Sequence, residues 1–338
     1  MIRPNEELIF FPTLARPIGD GRWDARLHGV LFKPETGSIK RKLFVRAIAR
    51  AAGVRHDEFA GPLLMRRLGA FLVDNKSRRR VSVAIEGRTV VLGPSTRNGH
   101  MLGRVEFAGI GGDTVDYAAA ESESADRCFL GRVHLLPATG LSVVCDIDDT
   151  IKHSKVPDIP ALLRNTFLRS YRAVDAVGGL CRTLGAAGAA MHYVSASPWQ
   201  LYIPLSEFME AQRLPRGSFH LKSFRVKDRS AISLLAPPRR FKMGVIEPML
   251  RDWPGRKFVL VGDSTEMDPE IYGELARRFP PQVVGVLIRN IFGEERDAPR
   301  YRSAFAGLAS HRWELLTDED DWSGAAARVQ DRASSRVR

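Results

Sequence analysis

Hydrophobic positions along the chain fall into two textures. Up to about residue 138 they come in short β-branched or alternating runs: Trp23 to Phe32, Phe71-Leu72-Val73, Val81 to Ile85, Thr89 to Leu92, Gly99 to Phe107 and Cys128 to Leu136. Runs of this kind predict strands with one buried face. Glu86-Gly87-Arg88, between two of them, predicts a hairpin turn. Between Ile39 and Leu72 the spacing turns helical, over Lys42 to Ala52 and Pro62 to Leu72. The acidic, Gly/Ala/Ser-rich stretch from Asp113 to Asp126 predicts a mobile loop. Short strands separated by turns predict a β-rich accessory domain over residues 1–138, a sandwich or barrel-like fold.

Pro137-Ala138-Thr139-Gly140 marks a change. Beyond it, continuous apolar runs alternate with amphipathic segments. Strands are predicted at Leu141–Cys145, Ala190–Val194, Ser218–Lys222, Lys257–Val261 and Gln282–Ile288. Helices are predicted at Val174–Ala187, Pro198–Gln212, Lys242–Asp252 and Pro269–Phe279. This is the pattern of an α/β domain with a parallel sheet, over residues 139–330. Residues 331–338 predict a disordered tail.

Composition narrows the class. The 338 residues are 44% hydrophobic and 27% charged, as in soluble globular proteins. No apolar run is long enough to span a bilayer, and Met1 to Phe11 carries Glu6 and Glu7 where a signal peptide has its apolar core. Three widely spaced cysteines, Cys128, Cys145 and Cys181, match neither a zinc site nor a disulfide framework, which points to a reducing cytoplasmic location. Net charge is +12, spread as +7 over residues 1–140 and +5 over the rest. Such an excess suits an anionic partner, or is simply a solvated basic surface.

The chemistry gathers at predicted strand ends. Leu141–Cys145 runs into Asp146-Ile147-Asp148-Asp149-Thr150. Carboxylates at the end of a buried strand ask for a compensating cation, because an unpaired buried charge costs several kcal/mol. Asp146 and Asp148 lie on the same side of an extended backbone, at the edge where open α/β sheets bind ligands. The second strand ends in Ser195-Ala196-Ser197-Pro198. Lys242 opens the helix before the fourth strand, and that strand ends in Gly262-Asp263, with Asp268 following. A carboxylate can attack phosphorus and form an acyl phosphate, and a hard cation with oxygen ligands lets two anions meet. Chemistry alone leaves Asp146 and Asp148 exchangeable in these roles.

In this order, the motifs resemble those of the haloacid dehalogenase superfamily. D-x-D-x-T is matched by Asp146, Asp148 and Thr150, the Ser/Thr motif by Ser195, the lysine by Lys242, and G-D-x-x-x-x-D by Gly262, Asp263 and Asp268. The resemblance spans Leu141 to Ile288. It implies a Rossmann-like parallel sheet and phosphoryl transfer dependent on Mg²⁺. Asp146 is then the nucleophile and Asp148 the general acid and base. Asp146, Asp263 and the main-chain carbonyl of Asp148 hold the metal, with Asp268 as a further ligand or its neighbour. Ser195, Ala196 and Lys242 bind the phosphoryl oxygens. Lys222 is a rival for the lysine role. Asp149 reads as a structural or helix-capping acid and Ser197 as a cap for the helix after Pro198. His153, His192 and His220 read as packing or surface residues, and Glu266 is left open.

The wording around Asp146–Lys152, Leu163–Leu168, Ser195–Leu201 and Phe258–Tyr272 is similar to the catalytic domain of the actin-patch-associated phosphatidate phosphatases. That similarity implies conversion of phosphatidate to diacylglycerol and phosphate. The short segments after Thr150 and after Lys222 leave no room for a folded cap, and an open site suits a bulky phosphate ester. Ile159 to Arg169 suits either a bilayer interface or core packing. Lys40-Arg41-Lys42, Arg78-Arg79-Arg80 and Arg239-Arg240 suit either anionic lipid or solvent. The alternatives are a phosphatase acting on polynucleotide ends or another bulky phosphomonoester, and a binding module on an inactive phosphatase fold.

Overall fold

The alternating runs of the first half pair into one mainly antiparallel sheet. In the computed structural model, which describes residues 1–34, 39–53, 62–108, 111–120, 123, 126–223 and 238–335, this half contains β1 (Glu7–Phe10), β2 (Thr13–Pro17), β3 (Arg22–Pro34), α1 (Ile39–Ala52), α2 (Pro62–Gly69), β4 (Val73–Asn75), β5 (Val81–Ile85), β6 (Arg88–Leu92), β7 (His100–Ala108), β8 (Thr114–Ala119) and β9 (Leu130–Leu135). The long β3 organises it. Along one edge it pairs with β2 and then β1, and along the other with β7 and then β4. From β2 the sheet continues through β9, β8, β5 and β6, with β2 and β9 parallel. The β5–β6 turn places Glu86 and Gly87 both at positive φ, 46° and 68°, the twist that a tight hairpin requires.

One expectation fails here. Thr114 to Ala119, inside the stretch predicted as a mobile loop, is β8. Val115 and Tyr117 alternate into the core and outweigh the acidic, small-residue composition around them. Of that stretch, residues 121–122 and 124–125 lie outside the described residues.

Between Leu135 and Gly140 the chain passes to a second sheet. It contains β10 (Gly140–Cys145), α3 (Ile159–Leu163) running into a π-helical turn (Arg164–Leu168), α4 (Asp175–Ala186), β11 (Ala190–Pro198), α5 (Tyr202–Ala211), β12 (Gly217–Lys222), α6 (Arg239–Asp252), β13 (Arg256–Asp263), α7 (Asp268–Arg278), β14 (Val283–Arg289), α8 (Pro299–Ala304), β15 (Trp313–Leu316) and α9 (Trp322–Ser334). The order is β12-β11-β10-β13-β14-β15, parallel throughout. Residues 331–334, predicted as tail, continue α9, which buries Val329 and its apolar face against the sheet; residues 336–338 lie outside the described residues.

The continuous apolar runs are explained by burial on both faces. Val143, Cys145, Val259 and Val261 pack with α4, α5 and α9, while Val144, Phe258 and Leu260 pack with α6 and α7. The first of these cores does not stop at the sheet. It takes in Phe11, Val30, Phe32, Ile48, Leu64 and Phe71 from the N-terminal half. Arg256 fastens the junction, donating to the carbonyls of Pro137, Thr139 and Leu141 and to Ser142 Oγ. Phe219 N–H donates to the carbonyl of Pro12 at 3.1 Å, tying the edge of the parallel sheet to the β1–β2 connection.

Candidate active site

β10 lies between β11 and β13, so the chain leaves it first toward one edge of the sheet and later returns on the other side. At such a switch point the loops diverge and leave a crevice beyond the strands' carboxyl ends. Asp146 follows β10, Ser195 lies on β11 and Asp263 ends β13. Three distant stretches of sequence therefore meet there.

Two carboxylate pockets form. In the first, Asp146, Asp263 and Asp268 are buried and each offers an oxygen within 4.8 Å of the others. Lys242, fully buried on α6, lies 2.8 Å from Asp146 Oδ1, 2.5 Å from Asp268 Oδ1 and 3.3 Å from Glu266 Oε2. Thr150 Oγ1 donates to Asp146 Oδ2 at 3.1 Å and lies 3.2 Å from Asp263 Oδ2. Thr265 N–H donates to Asp263 Oδ1 at 2.6 Å. Gly262 is required by this crowding: a Cβ there would fall 2.1 Å from Asp268 Oδ2. One lysine thus faces several acids. Burial raises the Asp146 carboxyl well above its ordinary range; Lys242 opposes the shift, and Asp268, Glu266 and Asp263 add to it. Burial and then Asp268 push Asp263 up to about 7. Burial disfavours the charge on Lys242, but Asp146 and Asp268 outweigh it and hold the ammonium protonated.

The second pocket belongs to Asp148. Lys152 Nζ lies 2.7 Å from its Oδ1, and Ser154 Oγ donates to the same oxygen at 2.7 Å. Ser195 Oγ donates to Oδ2 at 3.0 Å and Ser197 Oγ at 2.6 Å. Burial works against ionisation here, yet Lys152 and the hydroxyls hold Asp148 below the usual carboxylate range. Its carboxylate stands outside the trio of Asp146, Asp263 and Asp268, the only such metal-competent group among the described residues.

The turn between these pockets is held by Asp149. It adopts φ 55°, and its carboxylate accepts the N–H groups of Ser154, Lys155 and Val156 at 2.8, 2.8 and 2.6 Å. Ser197 is not the helix cap that the Ser-Pro pair predicts. β11 runs on to Pro198 with a register shift after Ser195, α5 begins only at Tyr202 after a 3₁₀ turn, and the hydroxyl is turned to Asp148 instead. Ala196 lies between the two serines, on the same strand end. Lys222, the rival lysine, ends β12 with Glu266 nearby. His192 is buried between Ser142 and Ser218, His220 bonds Ser218, and His153 is half-buried, so none joins the acid trio. Lys152, Ser154 and Arg300 are absent from the sequence expectations. Arg300 holds the Asp263–Asp268 loop through the carbonyls of Ser264 and Glu266 and pairs with Glu270.

The site adjoins a cavity of about 390 Å³, which leads away from Asp148, Ser195 and Glu266, walled by α1 of the N-terminal half and by α3. Part of that cavity's wall comes from the N-terminal half, beyond the short segments after Thr150 and Lys222; in the second of these, residues 224–237 lie outside the described residues. Among the basic clusters, Arg79 pairs with Glu6 and Arg239 with Glu274. The side chains of Lys40, Arg41 and Lys42 lie outside the described residues.

Residues 141–290 match the family described as the catalytic domain of phosphatidate phosphatase APP1. Phosphatidate phosphatase APP1 of Saccharomyces cerevisiae is 35% identical over 166 residues, which cover 48% of this chain and 28% of that protein. An uncharacterized protein of Schizosaccharomyces pombe is 30% identical over 188 residues, covering 54% of this chain and 31% of that one. The chain therefore spans less than a third of the length of the curated relatives it matches. A solved Pnkp1/Rnl/Hen1 complex aligns at 11% identity with a TM-score of 0.29, over 47% of this chain and 53% of that chain, too weak a likeness to bear on the fold. The C-terminal resemblance read from the motifs holds: residues 141–290 resemble the catalytic domain of the APP1 phosphatidate phosphatases, which are phosphoric monoester hydrolases.

Proposed function

We infer that the chain is a Mg²⁺-dependent phosphatase of the haloacid dehalogenase type that hydrolyses phosphatidate to diacylglycerol and phosphate. The observation that carries this reading is the buried trio of Asp146, Asp263 and Asp268 around Lys242 at the sheet's switch point. All its donors are carboxylate oxygens, and their negative charge exceeds what one lysine neutralises. That surplus and that ligand chemistry fit a hard divalent cation. Asp146, Asp263 and Asp268 would hold it. When bound, Mg²⁺ supplies the positive charge that lets a carboxylate approach a phosphate.

The residues divide the work. Asp146 attacks phosphorus; its bond to phosphorus forms as the bond to the leaving alkoxide breaks. Thr150 orients the Asp146 carboxylate through its Oγ1 hydrogen bond. Lys242, with Ser195 and Ala196 across the strand ends, receives the phosphoryl oxygens. Asp148 gives its proton to the leaving oxygen. It then takes one from the water that attacks phosphorus, which releases phosphate and restores the Asp146 carboxylate. Lys152 and the serine hydroxyls favour the ionised form of Asp148, so on this reading its acid step draws on the substrate's phosphate, whose negative charge raises the proton affinity of the carboxyl.

The apolar cavity beside Asp148 favours a lipid leaving group over a polynucleotide end. No helix among the described residues is long and apolar enough to cross a membrane. On this reading the enzyme works in the cytoplasm and meets its lipid substrate peripherally. The test is phosphate release with Mg²⁺ from phosphatidate in mixed micelles, beside oligonucleotides carrying 3′- and 5′-phosphates. Preference for phosphatidate is expected. Preference for the oligonucleotides would overturn the lipid assignment, and activity on none of them, nor on an aryl phosphate, would overturn the phosphatase reading.

A further inference from the structure

The cavity above Asp148 has two ends of unlike character. At one end stand Asp148, Ser195, Ser197 and Glu266. Beyond them the α1 wall is Ala47, Ile48 and Ala51, and the facing α3 wall is Ile159, Leu162 and Leu163. Phe71 and Phe167 also line it, their ring centroids 5.3 Å apart in an edge-on contact. A ligand that fills this space lays hydrocarbon along the walls and turns its headgroup toward Ser195 and Ser197, where the cation of the proposed site would offset the acids.

The α1 wall is a fixed part of the site. Arg164, from the turn that follows α3, donates to the carbonyl of Ala52 at 2.6 Å and so caps the end of α1. Arg67 of α2 donates to the carbonyls of Thr166 and Arg169, both at 2.7 Å, and its guanidinium stacks 3.8 Å above the ring of Tyr171. Two arginines thus join the N-terminal helices to the segment that follows the catalytic loop. The same face of α1 continues one turn earlier to Leu43, which is 59% exposed, while Ile159 on the facing wall is 43% exposed. Arg46 and Arg50 of α1 are exposed beside them. Exposed apolar and cationic side chains on these helices suit entry from an anionic lipid surface.

We propose that this cavity is the acyl-chain site and that α1, which lies outside the segment resembling the catalytic domain, sets which chains the enzyme accepts. This rests on the phosphatidate reading above and assigns its chain selectivity to particular residues. Each methylene seated between the walls improves binding by up to about fourfold. A phosphate ester lacking a chain forgoes that gain.

The experiment compares kcat/KM for long-chain and short-chain phosphatidates with Mg²⁺ and reads their ratio, so that a general loss of activity cancels. In the wild type the ratio favours the long chain. Ala51→Phe, which fills the cavity, is expected to lower the ratio at least tenfold. Leu162→Ala, which enlarges it, is expected to move the preference toward longer or bulkier chains. Wild-type ratios in both variants would overturn the proposal. If the wild type releases no phosphate, the phosphatase reading fails on its own, and calorimetric titration with monoalkyl phosphates of increasing chain length still reads the cavity. Affinity that climbs with chain length in the wild type and stays flat in Ala51→Phe supports the assignment. Flat affinity in both contradicts it.

Discussion

Asp146 and Asp148 lie two residues apart on one turn, and their carboxylates are held in opposite ways. Asp146 shares a single lysine with Asp268 and Glu266, so burial and like charge press it toward the protonated form. Asp148 has Lys152 and three serine hydroxyls around it, and these hold it ionised. The first pocket gathers more acids than its one lysine can pair, which is where the proposed cation would sit. The second is balanced by the protein itself, through Lys152 and the three serine hydroxyls. The proposed division between nucleophile and acid/base puts the cation and the phosphate in the first pocket and the proton in the second.

The comparison breaks hardest at Asp146. Asp146→Asn is expected to lower kcat on an aryl phosphate by about 10⁴-fold or more, the scale of losing a covalent nucleophile. Asp148→Asn is expected to lower it by about 10²- to 10⁴-fold on phosphatidate, with a smaller loss on aryl phosphates, whose leaving group needs less help from a proton. Lys152→Met tests the balanced pocket directly. It strands a buried carboxylate and is expected to destabilise the fold by about 3 kcal/mol, read as a lower denaturation midpoint. The double variant with Asp148→Asn should recover part of that loss, because no uncompensated charge then remains.

The smallest effect separates the site from the fold. His28 and His100 bond each other at 2.9 Å, between Phe11 and Trp199. Burial holds them down to about 3 and about 4, so both are neutral in the fold. The unfolded chain then binds more protons below its ordinary histidine value of 6.5, and stability falls as pH drops. The loss is on the order of 2 kcal/mol per ring between pH 6.5 and 5. His100→Gln should flatten this limb of the denaturation midpoint against pH.

Asp146 and Asp263 were legible in the sequence because they sit at the ends of continuous apolar runs, which place them at one sheet edge; Asp268, at the start of α7, was legible from its spacing after Asp263. The partners of Asp148 were not. Lys152 and Ser154 reach it because Asp149 turns the chain back at positive φ, and no periodicity announces that turn. Ser197 was misread because a Ser-Pro pair also starts helices, whereas here β11 extends past it. The α1 wall escaped notice for a different reason: its packing on α3 joins positions more than a hundred residues apart. β8 shows that local composition yields to alternation once a partner strand is present. The strand β15 and helix α9, outside the predicted elements, complete the parallel sheet and cover one of its faces.

In the proposed mechanism Asp146 takes the phosphoryl group and Asp148 moves the proton. This assignment is tested most directly in Asp148→Asn, incubated with an aryl phosphate and Mg²⁺, quenched in acid and digested for peptide mass mapping. Without its base this variant should accumulate the acyl phosphate, and fragmentation should place the phosphate on Asp146. A phosphate on Asp148 in Asp146→Asn, with none on Asp146 in Asp148→Asn, would contradict the assignment.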